Sequence, residues 1–268
     1  MKKFRFILVL LCSWVVISIA STVSASHGPT HAGYQGIVVD SVKATEIAND
    51  RVMSALQGQH QFLDLSGLIG LKEFPPLTAT LKLLQKVSIA NSGITDLTPL
   101  SAIRSLKSLD LSLTNISDLS PLKDNKALEV LFLSNTKVTE ISILKGLTKI
   151  QALYLVNLKI ADYSPLAALT NLRKIDLRYN LINDLAPLKH LIHLNNINVS
   201  HSSIDNLDVL AQLPELQELE LGHTQINDFS LINELSNLRT LYLAMNRIVA
   251  LESSLDEEVR VRLRIFYY

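Results

Sequence analysis

Aliphatic residues return along this chain at a fixed step of 22 positions. From Leu84 the step lands on Leu106, Leu128, Ile150, Leu172, Leu194, Leu216 and Leu238. Three positions later stand Val87, Leu109, Leu131, Leu153, Ile175, Ile197, Leu219 and Leu241. Two further on come Ile89, Leu111, Leu133, Leu155, Leu177, Val199, Leu221 and Leu243, and five beyond those Ile94, Ile116, Val138, Ile160, Ile182, Ile204, Ile226 and Ile248. A register held over eight units is an internal repeat, and a period of this size marks a solenoid.

Each part of the unit predicts an element. The x-L-x-L stretch alternates with period two, so it reads as a short strand with its aliphatic side turned inward. Strands stacked unit on unit form a parallel sheet at a spacing of about 4.8 Å. The ninth position holds Ser92, Thr114, Thr136, Asn180, Ser202, Thr224 and Asn246, short polar side chains suited to satisfying backbone groups where the chain turns inward. Leu158 interrupts that row, and Asn157 is expected to take its place. Thr98-Pro99, Ser120-Pro121 and Ser164-Pro165 place a capping hydroxyl before a proline, with Ser142, Asp208 and Ser230 as caps elsewhere. The predicted fold is an α/β repeat solenoid. It is a curved arc with a concave parallel β-sheet and short helical or 3₁₀ turns on the convex side.

The flanks depart from the repeat. Val42, Ile47, Val52, Met53 and Leu56 fall at roughly helical spacing, which predicts a capping helix over 41–61 with Ser41 as its N-cap. Leu63-Asp64-Leu65 opens an irregular first repeat over 62–83, ahead of eight regular repeats over 84–250. At the other end, 251–268 reads as a turn at Asp256–Val259 and a final strand. There Val261, Leu263 and Ile265 alternate with Arg260, Arg262 and Arg264, arginines that would discourage edge pairing.

The repeat, L-x-x-L-x-L-x-x-N/T-x-I-x-D-L-x-P-L, resembles the leucine-rich-repeat family. The likeness is to the 22-residue type of bacterial internalins and of the phosphatase-regulating repeat proteins, and it spans about Leu84 to Ala250. It implies a binding module, either in host or envelope contact or as the regulatory subunit of an enzyme. An immunoglobulin-like region and a wall-sorting signal are not recognised, so a soluble binder or secreted effector is the expectation.

Composition adds the compartment. Residues 1–25 read as a signal peptide, with Lys2, Lys3 and Arg5, an uncharged apolar run from Phe6 to Ala20, and a small-residue site at Val23-Ser24-Ala25. The apolar run is short against the roughly 20 residues that span a bilayer, so cleavage is expected rather than anchoring. Cys12 lies inside that run behind Leu11, not in a lipid-attachment setting. Cleavage would leave 22 basic against 25 acidic residues, a net charge of −3, with no cysteine and no tryptophan. A polar tail, 26–40, would then lead into the repeats. The expected location is secreted or periplasmic, with no stable membrane span after cleavage. Balanced charge gives no reason to expect a nucleic acid.

No phosphate loop, zinc-protease or serine-hydrolase motif is present, and neither catalysis nor a cofactor is expected. His201 and His223 share one repeat position and are close enough for two metal ligands, but a third is not evident, so exposed polar residues are the simpler reading. His190 and His193 fall on the convex side and are expected to be solvated. The sequons at Asn115 and Asn198 read as coincidental.

The outward strand positions carry the functional expectation, because the core does not need them. Phe132, Tyr154, Val156, Arg178 and Tyr179 become neighbours once the sequence is folded onto the repeat grid. Aromatics with arginine make an interface hot spot. Asp176 and Glu220 flank them with negative charge, Arg178 is expected to pair with Asp176, and His201, His223 and Tyr242 complete the candidate partner-binding set. Arg264 is expected in the same outward row as Tyr242. The reading is an exported module that binds a protein on its concave face, with a glycan as the alternative partner.

Overall fold

The computed structural model describes residues 40–76, 78–244, 251 and 254–267. The chain winds into a single open sheet of ten parallel strands in sequence order. These are β1 (Phe62–Asp64), β2 (Lys86–Ser88), β3 (Ser108–Asp110), β4 (Val130–Phe132), β5 (Ala152–Tyr154), β6 (Lys174–Asp176), β7 (Asn196–Asn198), β8 (Glu218–Glu220), β9 (Thr240–Tyr242) and β10 (Arg264–Phe266). From β2 to β9 each residue pairs with the one 22 positions on, as Val87 with Leu109 and Leu109 with Leu131. The ladder continues past the strands, where Leu111 N–H donates to Phe132 O at 3.0 Å and Leu113 N–H to Ser134 O at 2.9 Å.

The aliphatic columns read from the sequence form the core. Every described member of the four columns is at most 6 % exposed, with Ile248 outside the described residues. A column on the return path, from Leu100 through Leu122, Leu144, Leu166, Leu188 and Leu210 to Ile232, is fully buried as well. The return segments are 3₁₀ turns such as Thr98–Ala102, Ser142–Gly146 and Ser164–Ala168.

The caps of those turns differ from the expectation. Thr98, Ser120 and Ser164 occupy the first position of the turn, and no side chain of the capping residues Leu97, Leu119 and Tyr163 bonds the backbone. The work is done two residues earlier. Asp96 accepts both Thr98 N–H (2.8 Å) and its hydroxyl (2.6 Å), and Asp118 and Asp162 do the same for Ser120 and Ser164. Glu140, Asp184, Asn206 and Asp228 accept the corresponding backbone N–H elsewhere. A short carboxylate reaches the amide two residues on in a tight loop of its own, which explains the repeated Asp of the motif. The side-chain and backbone hydrogen bonds from Thr98 hold the Asp96 carboxyl below its usual range, and those from Ser164 and Ser230 do so for Asp162 and Asp228.

The inward turn is held as expected at Thr114, Thr136, Ser202 and Thr224, whose hydroxyls donate to the carbonyl three residues back at 2.6–2.8 Å. Asn157 does not stand in for Leu158. Its amide donates instead to Asn135 Oδ1 on the exposed face (2.8 Å), and Leu158 is buried. The missing partner comes from the next coil, where Asn180 Oδ1 accepts Leu158 N–H at 3.0 Å.

Both ends break the 22-residue step. Helix α1 (Ser41–Gly58) packs against β1, and its N-cap is Asp40 rather than Ser41, with Asp40 Oδ1 accepting Lys43 N–H at 2.8 Å. Its buried stripe is Ala44, Ala48, Val52 and Ala55, small residues that let the helix sit close, while Val42 is 69 % exposed and Met53 also faces solvent. Phe62 pairs with Lys86, so the first coil is 24 residues long. The last step is also 24, because Arg264 pairs with Thr240. The segment before β10 contains helix α2 (Glu257–Arg262), not a turn ending at Val259. Val261 therefore lies in a helix and is 84 % exposed, only Ile265 keeps an inward strand position, and Phe266 rather than Arg264 aligns with Tyr242. An acidic first turn and a basic last turn favoured the helix.

One core position invites improvement. Asn125 is fully buried where neighbouring coils carry Ile103 and Leu147. Its Nδ2 donates to Leu100 O and Ile103 O, which already accept backbone N–H groups, and its Oδ1 has no partner. Asn125→Leu is expected to raise stability by about 1–3 kcal/mol, the cost of an unsatisfied buried polar group. A thermal melt of the variant beside the parent checks this, and an unchanged or lower Tm would refute it.

Candidate functional site

The outward side of the sheet carries two rows of interest, one at the last strand residue and one three residues later. The second row has a backbone signature that the hydrophobic pattern does not reveal. Asn91, Leu113, Asn135, Asn157, Tyr179, His201 and His223 all have φ between 54° and 59°. This left-handed corner turns the chain out of the strand, and asparagine tolerates it better than most residues. The three asparagines were the available clue. The same corner recurs at Leu113, so it belongs to the repeat, and Tyr179, His201 and His223 keep it at the cost of some backbone strain.

Register then decides which rings meet. Phe132 and Tyr154 stack at 4.4 Å between centroids and 12° between planes. Tyr179 stacks on His201 at 4.1 Å, and His201 on His223 at 4.0 Å, a ribbon of three rings across consecutive coils. Tyr242 stacks on Phe266 at 4.8 Å, a partner that the misplaced final register concealed. Six of the ten candidate residues thus fall into separate stacks, with Asp176 and Glu220 in the strand row and Val156 and Arg178 at the position between the two rows. Leu181, 83 % exposed and two residues past Tyr179, belongs to no aliphatic column of the repeat.

Arg178 and Asp176 form the expected pair, and its geometry changes the roles of both. Arg178 Nη2 and Nε donate to the carboxylate at 2.8, 3.0 and 3.1 Å, and Arg178 N–H adds a contact at 3.2 Å. Asp176 is only 3 % exposed, so it is a buried anchor and not a flanking surface charge. Burial works against the guanidinium charge, but the hydrogen bonds and charge of Asp176, with Glu220 and Tyr179 behind them, more than offset it. Lys174 Nζ lies 5.7 Å from the centre of the Tyr154 ring. Burial, with Asp176 nearby, pushes the Tyr154 phenol up to about 12, so it stays neutral.

Glu220 is half-buried and, among the described residues, lacks such a partner. It accepts Asn198 Nδ2 at 2.5 Å, and burial raises its carboxyl to about 7 against the opposing pull of Arg178. Asn196 likewise donates to Glu218. Desolvation, with His223 and Arg178, holds His201 below its usual value. The described residues contain no group of three metal-ligating side chains. On the convex side, His193 is not simply solvated, since its Nδ1 sits 2.8 Å from Glu215 Oε1.

Comparison with known proteins places this geometry. The model described as Leucine Rich repeats (2 copies) matches residues 104–146, 148–190 and 214–257. These segments of the chain are leucine-rich repeats. Among solved structures it is similar to internalin C2 of Listeria monocytogenes, with 28 % identity and a TM-score of 0.65, covering 75 % of this chain and 92 % of that one. Internalin F of the same organism matches at 26 % identity and a TM-score of 0.60, covering 75 % and 68 %. A leucine-rich-repeat protein of Leptospira interrogans shares the fold at 22 % identity and a TM-score of 0.67, covering 80 % and 56 %. Its repeats are therefore of the internalin-like type. No curated protein sequence matches the chain significantly. Among the described residues, no helix is long and apolar enough to cross a membrane.

Proposed function

We propose that this is an exported binding module, without catalytic function, that holds a protein partner on the concave face of its sheet through Phe132, Tyr154, Val156, Arg178, Tyr179, His201, Glu220, His223 and Tyr242. One observation carries the reading: the outward rows bear stacked rings that the core does not use. Sheet faces of this fold commonly serve as interaction surfaces. The way the rings stack favours protein over glycan. Phe132 and Tyr154 turn one face to each other, Lys174 lies over Tyr154, and His201 has a ring on both sides. Few faces remain for a sugar to lie on. What is offered is ring edges and hydroxyls, which suit side chains and backbone carbonyls of a protein. Export rests on the basic and apolar composition of residues 1–25.

The test is a crosslinking pull-down from envelope or host extract with the mature chain, recognised by tyrosine fluorescence without that of Trp14. The double variant Tyr154→Ala/Tyr179→Ala is expected to lose the captured partner, with a drop of about 30-fold or more for a true hot spot. Its thermal melt should fall only modestly and stay cooperative, since the two rings give up stacking contacts but leave no buried charge behind. Unchanged capture by the folded variant would dismiss the proposed face, and capture of glycans alone would replace the protein partner.

A further inference from the structure

The Tyr179–His201–His223 ribbon and Glu220 lie on neighbouring coils, and three of these four side chains carry an imidazole or a carboxyl. Histidine ordinarily changes charge between about pH 5 and 8. Resting on the protein-binding reading above, we infer that the outward face across β6, β7 and β8 is a proton-sensitive binding surface. On it His201, His223 and Glu220 turn a slightly acidic patch into a basic one as they take up protons.

The charge inventory of the surrounding coils supports this. From β6 and the corner after it come Lys174, Asp176, Arg178 and Tyr179; from β7 and its corner Asn196, Asn198 and His201; from β8 and its corner Glu218, Glu220 and His223; from β9 Tyr242. Asp176 and Arg178 cancel within their bidentate contact. Lys174 is left against Glu218 and Glu220, so the face carries a slight negative excess when Glu220 is ionised. Glu220 takes up its proton near pH 7, because burial disfavours its charge. His201 follows at lower pH, because desolvation and its neighbours His223 and Arg178 oppose its charge. Each proton moves the face in the same direction, so the changes add.

The ring contact gives the response a structural consequence. Two neutral imidazoles stack at 4.0 Å, but two imidazolium rings at that distance repel each other. The protons therefore enter in coupled steps. The second one works against the stack, and the ribbon that a partner would meet at neutral pH is both recharged and loosened in acid.

The experiment is an NMR pH titration of the imidazole C–H signals in the full chain, assigned with His201→Gln and His223→Gln. The expected result is that His201 titrates below its ordinary value and moves to higher pH in His223→Gln. A hexaglutamate peptide serves as the probe of surface charge. It should leave the Tyr179, His201 and His223 signals in place at about pH 7.5 and shift them in mild acid, at about pH 5.5, within the range where imidazoles ordinarily gain charge. That response should disappear in His201→Gln/His223→Gln. A His201 titration indifferent to His223, or a peptide response equal at the two pH values, would overturn the inference. The protein-binding reading is judged separately, by the Tyr154 and Tyr179 variants.

Discussion

Arg178→Ala is expected to cost about 3 kcal/mol, near the low end of what removing one member of a buried ion pair costs. The loss comes from the partner left behind. Asp176 has a side chain only 4 % exposed, and among the described residues Arg178, 24 % exposed, is the cation it pairs with. The quarter-exposed arginine lets water enter in its place, which is why the low end applies. Asp176→Asn in the same background should recover most of the loss, because the uncompensated charge is gone. Denaturant melts of the two single variants and the double variant close the thermodynamic cycle. An Arg178→Ala variant as stable as the parent would show that the pair contributes nothing. The same argument alters the use of Arg178 as a probe of binding. The sequence presents it as a freely removable surface residue, yet its loss would weaken partner binding through the fold as well as through contact. Tyr154 and Tyr179 are the cleaner probes.

Asn180→Ala should cost about 2–4 kcal/mol, well beyond the roughly 1 kcal/mol of a single hydrogen bond. Its Nδ2 donates to Leu155 O and Leu177 O, both at 2.7 Å, and to Arg178 O at 3.1 Å, while its Oδ1 holds Leu158 N–H. It therefore serves two coils, its own and the preceding one, which has leucine where the others have a polar residue. Thr136→Ala is the internal comparison, since Thr136 occupies the same repeat position and donates one bond, to Leu133 O at 2.8 Å. Hydrogen exchange offers a local readout, with the Leu158 amide expected to exchange faster in Asn180→Ala and to be unaffected in Thr136→Ala. Equal losses for the two substitutions would mean that Asn180 does not bridge the coils.

These two residues mark where the sequence was legible. The pairing of Arg178 with Asp176 followed from a spacing of two along one strand face. That Asp176 is buried did not follow, because an outward position is assigned by parity, whereas burial depends on what lies over it. The interrupted row at Leu158 was visible too. The natural substitute in a linear reading is the adjacent Asn157, but the working one is Asn180, a full coil away in sequence and beside it in space. Likewise Asp96, Asp118 and Asp162 were plain members of the motif, and only their bond geometry distinguished them from the hydroxyls as the caps of the turns.

By itself the sequence determined the solenoid, its parallel register from β2 to β9, the buried columns and the outward set. Each is a consequence of one period repeated against a two-residue alternation, and such patterns survive without knowledge of the third dimension. The tertiary structure decided the rest. It set the 24-residue steps at the two ends, the left-handed corner under Tyr179, His201 and His223, and the division of the aromatics into stacks. Those depend on contacts between coils, where a shift of two residues exchanges Arg264 for Phe266 beside Tyr242, and no local pattern records which neighbour the next turn of the chain will supply.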